Sequence, residues 1–166
     1  MKPGVAAIKG PVYIRTGRPK APLVHEPSTP FKLGKGILLR KGKDVTLVAN
    51  GLMVFEALWA AEELERSGLS ASVIDMHTVK PLDEDLLVAQ AQQTGAVVTA
   101  EEHQVWGGLG AAVASALGRK CPVPQELVGI QDTYAESGKP DGLLEKYGLT
   151  GRRIAETARR AVSRKR

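Results

Sequence analysis

The sequence predicts an α/β fold: a three-layer αβα sandwich around a mostly parallel sheet of about five strands, one of them an edge strand. Short apolar runs such as 45–49 alternate with longer amphipathic stretches such as 52–67. Glycines such as Gly68 and Gly95 follow the amphipathic stretches, where they suit the end of a helix. Strands that alternate with helices form βαβ units, whose right-handed crossovers place helices on both faces of the sheet.

The individual elements follow from the same pattern. An edge strand is predicted at 36–40, and buried strands at 45–49, 71–76, 96–100 and 126–130. Helices are predicted at 52–67, 84–94, 107–117, 141–147 and 151–162. Asp83 and Thr150 can cap the second and last helices, and Gly118 is expected to end the third.

The first 33 residues follow a different pattern. Residues 11–15, Pro-Val-Tyr-Ile-Arg, predict a single short strand, and the following stretch is rich in proline, which favours an extended linker. A single strand cannot satisfy its own edges. We therefore expect an orphan strand and a Pro-rich linker over 1–33, mobile or paired with another chain, and a folded domain over 34–166.

Composition limits the function classes. The chain has 43% hydrophobic and 25% charged residues and no apolar run long enough for a membrane span. Its one cysteine, Cys121, cannot form an internal disulfide, and we expect a cytoplasmic protein that does not bind membranes. The net charge is +5, but aromatic residues make up only 4% and no nucleic-acid-binding motif is present, so no nucleic-acid partner is expected.

Glu101, Glu102 and His103 form the first candidate site, directly after the strand predicted at 96–100. Loops at the carboxyl ends of parallel strands are common ligand sites, and a histidine beside two carboxylates can perform acid–base chemistry. The same polar groups can instead hold a loop or a subunit contact, and the residues alone favour this structural role. The three histidines are too far apart in sequence to predict a metal site.

The glycine-rich stretch 107–110 opens a predicted helix, where main-chain amides can bind an anion. Val113 stands where the dinucleotide-binding fingerprint requires Gly or Ala, so close helix packing is the favoured interpretation. A non-catalytic nucleotide-binding or regulatory module remains an alternative function.

Arg15 and Arg18 lie just after the orphan strand, within Arg-Thr-Gly-Arg-Pro. Guanidinium groups at a strand end can bind a phosphate through two hydrogen bonds. An exposed basic turn is the simpler interpretation of the residues alone.

Taken together, these segments resemble the transketolase family over about residues 6–162. The matching stretches are 11–19 (PVYIRTGRP), 43–51 (KDVTLVANG), 78–83 (TVKPLD), 101–110 (EEHQVWGGLG) and 137–149 (SGKPDGLLEKYGL). The first resembles the end of the pyrimidine-binding domain, so 1–33 is assigned as its remnant. The others resemble the C-terminal domain, assigned to 34–166.

The resemblance implies an enzyme of the pentose phosphate pathway that transfers a two-carbon ketol unit between sugar phosphates. Such enzymes are homodimers that use thiamine diphosphate and Mg²⁺ or Ca²⁺. The cofactor and metal ligands of the family lie upstream of the matched stretches, so this segment should bind neither and should be inactive without the missing upstream transketolase polypeptide.

The resemblance also assigns roles to the candidate residues. Arg15 matches the family's substrate-phosphate contact, and Arg18 is a weaker companion. Glu101, Glu102 and His103 become candidates for an interface that supports the dimer. The related deoxyxylulose-phosphate synthases share the cofactor and architecture and remain an alternative, although the stretches around Arg15 and Lys139 favour transketolase.

Overall fold

The computed structural model describes residues 8–17 and 21–165 of the chain. Its strands are β1 (Ile37–Arg40), β2 (Val45–Ala49), β3 (Ala71–Asp75), β4 (Val97–Gln104) and β5 (Gln125–Ile130). Its helices are α1 (Met53–Arg66), α2 (Glu84–Thr94), α3 (Leu109–Lys120), α4 (Pro140–Lys146) and α5 (Gly151–Ser163). Within these residues, no helix combines the length and the apolar character needed to cross a bilayer.

The five strands form one sheet in the order β1-β3-β2-β4-β5. The edge strand β1 runs antiparallel to β3, whereas the other neighbouring strands are parallel. The buried faces of β2 and β3 explain why their sequences are nearly continuous apolar runs. The carboxyl ends of β2, β3, β4 and β5 therefore lie along the same edge of the sheet.

Helices cover both faces of the sheet. On one face α1 and α5 pack in a core that includes Leu64 and Ile154, together with Leu47 and Val98 from the sheet. On the other face α2 and α3 form a second core with residues such as Ile74 from β3. The predicted three-layer αβα fold is confirmed.

Hydrogen bonds between buried polar side chains connect α2 to the sheet. The hydroxyls of Thr46 and Thr94 lie 2.7 Å apart, and the Ser72 hydroxyl donates to the Gln90 side chain at 2.8 Å. Ser72 Oγ also accepts a hydrogen bond from the main-chain N–H of Gly42 at 2.8 Å. These bonds satisfy polar groups that would otherwise destabilise the core.

Residues 11–15 pair with no other strand among the described residues, and the single strand predicted there stays a prediction. The structure corrects two other predicted features. β4 continues to Gln104, so Glu101, Glu102 and His103 lie within its last residues and not in a loop after it. α3 runs past Gly118 to Lys120, since the N–H of Cys121 still donates to the Leu117 carbonyl at 2.9 Å.

Candidate functional site

The described residues before β1 (8–17 and 21–36), here called the N-terminal segment, contact the sheet at two strand ends on its carboxyl edge, the edge where β2, β3, β4 and β5 end. The Arg15 guanidinium donates a hydrogen bond to the main-chain carbonyl of Glu102 near the end of β4. Farther along the segment, His25 Nε2 lies 2.7 Å from the Asp75 carboxylate at the end of β3. Carboxyl ends of parallel strands are the usual location of ligand sites in such sheets, so this edge is the candidate functional site.

Asp75 is the buried member of the His25 pair. Only 5% of its surface is exposed, and its second oxygen, Oδ1, has no hydrogen-bond partner among the described residues. A buried carboxylate with one direct partner needs that partner, because an unpaired buried charge is costly. The pair therefore fixes the N-terminal segment to β3.

His77 lies two residues after Asp75 and stacks on Phe31, with ring centroids 3.6 Å apart. Its Nδ1 lies 2.9 Å from the Thr78 hydroxyl, and that hydroxyl accepts a hydrogen bond from the N–H of Gly34. Burial lowers the pKa of His77, the Asp75 carboxylate opposes this shift, and His25 adds to it. The structure therefore favours a neutral imidazole that packs against the N-terminal segment.

Asp83 joins the same segment to α2. Its carboxylate caps α2 by accepting from the N–H of Leu86, as predicted, and it also accepts from the N–H of Gly36 at 3.1 Å. Lys35 Nζ lies 3.3 Å from this carboxylate. The residues just before β1 are thus held by charge-assisted hydrogen bonds to a helix cap.

Glu101 points into the domain. Its buried carboxylate accepts hydrogen bonds from the N–H groups of Leu109 and Gly110, at 2.8 and 2.9 Å, at the start of α3. A Cβ on Gly108 would lie 2.2 Å from one of its oxygens, so only glycine fits beside the carboxylate. The anion held by the glycine-rich stretch is therefore this chain's own glutamate.

This occupancy removes the feature that supported a nucleotide-binding module. Amides at a helix N-terminus can receive a phosphate only when they are free. Here the amides of Leu109 and Gly110 already bind the Glu101 carboxylate. The packing interpretation of the stretch 107–110 agrees with this geometry.

Glu102 and His103 are more accessible than Glu101. Both are half-buried, and Glu102 lies beside Gly51, in the turn that follows β2. The His103 Nδ1 lies 2.7 Å from the carbonyl of Gln104, to which it donates, and 4.0 Å from the Glu101 carboxylate. These contacts are within the domain and leave part of each side chain accessible to another molecule.

The sequence did not predict the contact between Arg15 and the main chain of Glu102. It also did not single out His25, Asp75 or His77. A buried strand that ends in Asp and is followed by His is a signal that could have identified Asp75 and His77. The partner His25 could not have been found in this way, since it lies 50 residues away from Asp75. Arg18 lies outside the described residues.

The described residues do not provide a site for the metal or the cofactor diphosphate. No group of three or more His, Cys, Asp or Glu side chains among them could hold a metal ion. The glycine-rich stretch is filled by Glu101, as described above. The described residues of this chain therefore do not fit the cofactor and metal of the family, whose ligands the resemblance assigns to residues upstream of the matched stretches.

An open cleft of about 360 Å³ lies away from these residues, between α1, α4 and the start of α5. Phe55, Trp59 and Leu144 line it together with acidic side chains. It includes none of the candidate residues at the carboxyl edge, and it therefore does not extend the site.

Comparison with known proteins agrees with this architecture. Residues 34–154 match the model of the family described as "Transketolase, C-terminal domain". The chain is 50% identical, over 163 residues, to the 6-deoxy-6-sulfo-D-fructose transketolase subunit SqwH of Clostridium sp. (strain MSTE9), covering 98% of this chain and 51% of that protein. It is 42% identical, over 166 residues, to the 1-deoxy-D-xylulose-5-phosphate synthase of Trichormus variabilis, covering 98% of this chain and 26% of that enzyme.

A solved structure described as "Split gene transketolase, inactive beta4 tetramer" superimposes with a TM-score of 0.94 at 52% identity, covering 97% of this chain and 53% of that chain. The chain thus spans about half the length of these transketolase relatives. This chain belongs to the transketolase C-terminal domain family.

Proposed function

We propose that this chain is the C-terminal part of a transketolase that transfers a two-carbon ketol unit between sugar phosphates, with thiamine diphosphate and Mg²⁺ or Ca²⁺ bound by the rest of the enzyme. In this proposal Arg15 binds the substrate phosphate, with Arg18 as a weaker companion. The domain over 34–166 supports the homodimer. The observation that carries the proposal is the position of Arg15, exposed at the carboxyl edge of the sheet with one hydrogen bond to Glu102.

A guanidinium group has five N–H donors in a fixed plane, so one bond to a carbonyl leaves others for a phosphate. Arg15 forms no ion pair with a carboxylate among the described residues, and its positive charge is therefore not neutralised there. An accessible, unneutralised guanidinium is the group that an anionic substrate requires.

Exposed aromatic residues near the same edge support an assembly with the rest of the enzyme. Tyr13 is 86% exposed, Trp106, shortly after β4, is 70% exposed, and Tyr134, shortly after β5, is 99% exposed. Large aromatic side chains are enriched where proteins pack together. Glu102 and His103 lie near the end of β4, which places them close to this surface and keeps them as interface candidates.

The first experiment measures two-carbon transfer from a ketose phosphate to an aldose phosphate. We expect no activity from the chain alone, and activity when the thiamine-diphosphate-binding part of the enzyme is added. Activity of the chain alone would show that the cofactor site is misplaced in this proposal.

The second experiment replaces Arg15 with Ala in the complete enzyme. Loss of a charge-assisted contact of about 1.5–3 kcal/mol should lower kcat/KM for phosphorylated substrates by roughly 10- to 150-fold. A substrate without phosphate should be little affected. Lys32→Ala is the matched control, since it removes an exposed positive charge from the same segment without touching Glu102. Equal responses to Arg15→Ala and Lys32→Ala would contradict the role of Arg15.

Two relatives suggest other substrates for the same site. The relative from Clostridium is named for a sulfonated sugar, whose sulfonate is an anion that a guanidinium can also bind. The synthase from Trichormus is named for the product 1-deoxy-D-xylulose 5-phosphate. Assaying the complete enzyme with phosphorylated and sulfonated ketoses, and testing for that product, distinguishes the three reactions.

A further inference from the structure

The end of β4 is irregular at the residues that contact Arg15. β4 pairs with β2 only as far as Ala100, and its pairing with β5 shifts register between Ala100 and Gln104. Glu102 lies inside this interruption, and its carbonyl accepts a hydrogen bond from Arg15. The break in the ladder therefore leaves a main-chain acceptor available to the N-terminal segment.

We propose that the irregular end of β4 positions Arg15 for the anionic group of the substrate, with the Glu102 carbonyl as the orienting acceptor. This inference rests on the function proposed above for Arg15. A long side chain that is already held in one orientation loses less conformational freedom when it binds its ligand. Glu102 is in this sense a positioning residue, acting through its main chain and not through its carboxylate.

Contacts on both sides of Glu102 fix its carbonyl. Before it, the Glu101 carboxylate binds the start of α3. After it, the Gln104 side-chain amide donates to the Thr133 carbonyl at 2.7 Å. On the neighbouring strand β5, Gly129 packs closely against the main chain next to Glu102, since a Cβ at Gly129 would lie only 2.9 Å from the carbonyl oxygen of His103.

Gly129→Ala in the complete enzyme tests this arrangement. The added methyl group must displace the main chain beside Glu102, because the closest atom is a backbone oxygen and not a flexible side chain. We expect KM for a phosphorylated substrate to rise by about 3- to 30-fold, since a small misplacement of a binding group is sufficient for such a loss. The kcat and KM measured with an unphosphorylated substrate should stay near the wild-type values.

Gly118→Ala is the matched control, because no atom lies within 4 Å of a Cβ at that position. Its kinetic constants with both substrates should equal those of the wild type. A rise in KM for the phosphorylated substrate with this control variant would mean that the effect is not specific to the end of β4, which would overturn the inference.

A double-mutant cycle separates this inference from the proposed function. If Gly129 acts through Arg15, Gly129→Ala should have no further effect on an Arg15→Ala enzyme. If the effects of the two substitutions on KM are fully additive, and the Arg15→Ala single variant shows a phosphate-selective loss, the positioning role is overturned and the phosphate contact of Arg15 is kept. No phosphate-selective loss in Arg15→Ala would instead overturn the proposed function of Arg15, and the positioning role with it.

Gln104→Ala provides a second variant if Gly129→Ala does not fold. It removes the hydrogen bond to Thr133 without adding atoms to the sheet. We expect Gln104→Ala to raise KM for the phosphorylated substrate selectively, by less than Gly129→Ala does. This rise should be absent in the Arg15→Ala background. The inference would be overturned if a folded Gln104→Ala enzyme has wild-type KM values and Gly129→Ala either has wild-type KM values too or does not fold.

Discussion

Replacing Glu101 with Ala should destabilise the domain more than replacing either of its neighbours, Glu102 or His103. The wild-type carboxylate is buried and accepts two main-chain hydrogen bonds at the start of α3. A hydrogen bond to a charged group contributes about 1.5–3 kcal/mol. Water that enters the vacated space can satisfy part of the lost bonding, so we expect a net loss of about 2–4 kcal/mol for the two bonds together.

The assay is equilibrium unfolding of the chain in urea, monitored by circular dichroism. Thermal unfolding is measured as a second assay. For a protein of this size, such a loss corresponds to a fall in Tm of roughly 10 °C. Glu102→Ala is the matched control, because this neighbouring carboxylate is only half-buried and caps no helix, so its loss should cost less than about 1 kcal/mol.

The reasoning would be refuted if Glu101→Ala and Glu102→Ala had the same effect, or if the Glu101 variant lost less than about 1 kcal/mol. Gly108→Ala gives an independent check. Its Cβ would clash with the Glu101 carboxylate at 2.2 Å, so the glycine substitution should be less harmful once Glu101 is already Ala.

Two further predictions concern stability. Gly42→Ala should destabilise the chain by about 3 kcal/mol or more, because a Cβ there would lie 2.2 Å from the main-chain carbon of Ala71. Gly118 lies in an open position of α3, so Gly118→Ala should be neutral or stabilising by up to about 1 kcal/mol. Urea titrations of the two variants measure both effects. Burial lowers the pKa of His77 in the folded state, so the unfolded chain binds more protons and the unfolding free energy should fall as pH decreases through the ordinary value of 6.5. His77→Phe keeps a ring beside Phe31 and removes this group, so unfolding curves at several pH values should show a smaller pH dependence; an unchanged dependence would contradict the assignment.

Local sequence patterns were sufficient to predict most of the fold. The alternation of apolar strands and amphipathic helices gave the layers, and Asp83 and Thr150 cap the helices that their positions predicted, α2 and α5. These features depend on residues a few positions apart, whose spacing can be read directly. The end of α3 was less predictable, because Gly118 stays in a helical conformation and does not adopt the left-handed one.

The contacts of the candidate site were decided by the tertiary structure. Arg15 and Glu102 are 87 residues apart, and His25 and Asp75 are 50 residues apart. Such pairs form only after the strand order has brought the carboxyl ends to one edge and the N-terminal segment has reached that edge. The sequence shows that Glu101 is acidic and that 107–110 is rich in glycine, but only the packing of α3 against β4 shows that the carboxylate fills the helix N-terminus. Periodicity is a local property, whereas pairing across the fold depends on the path of the whole chain.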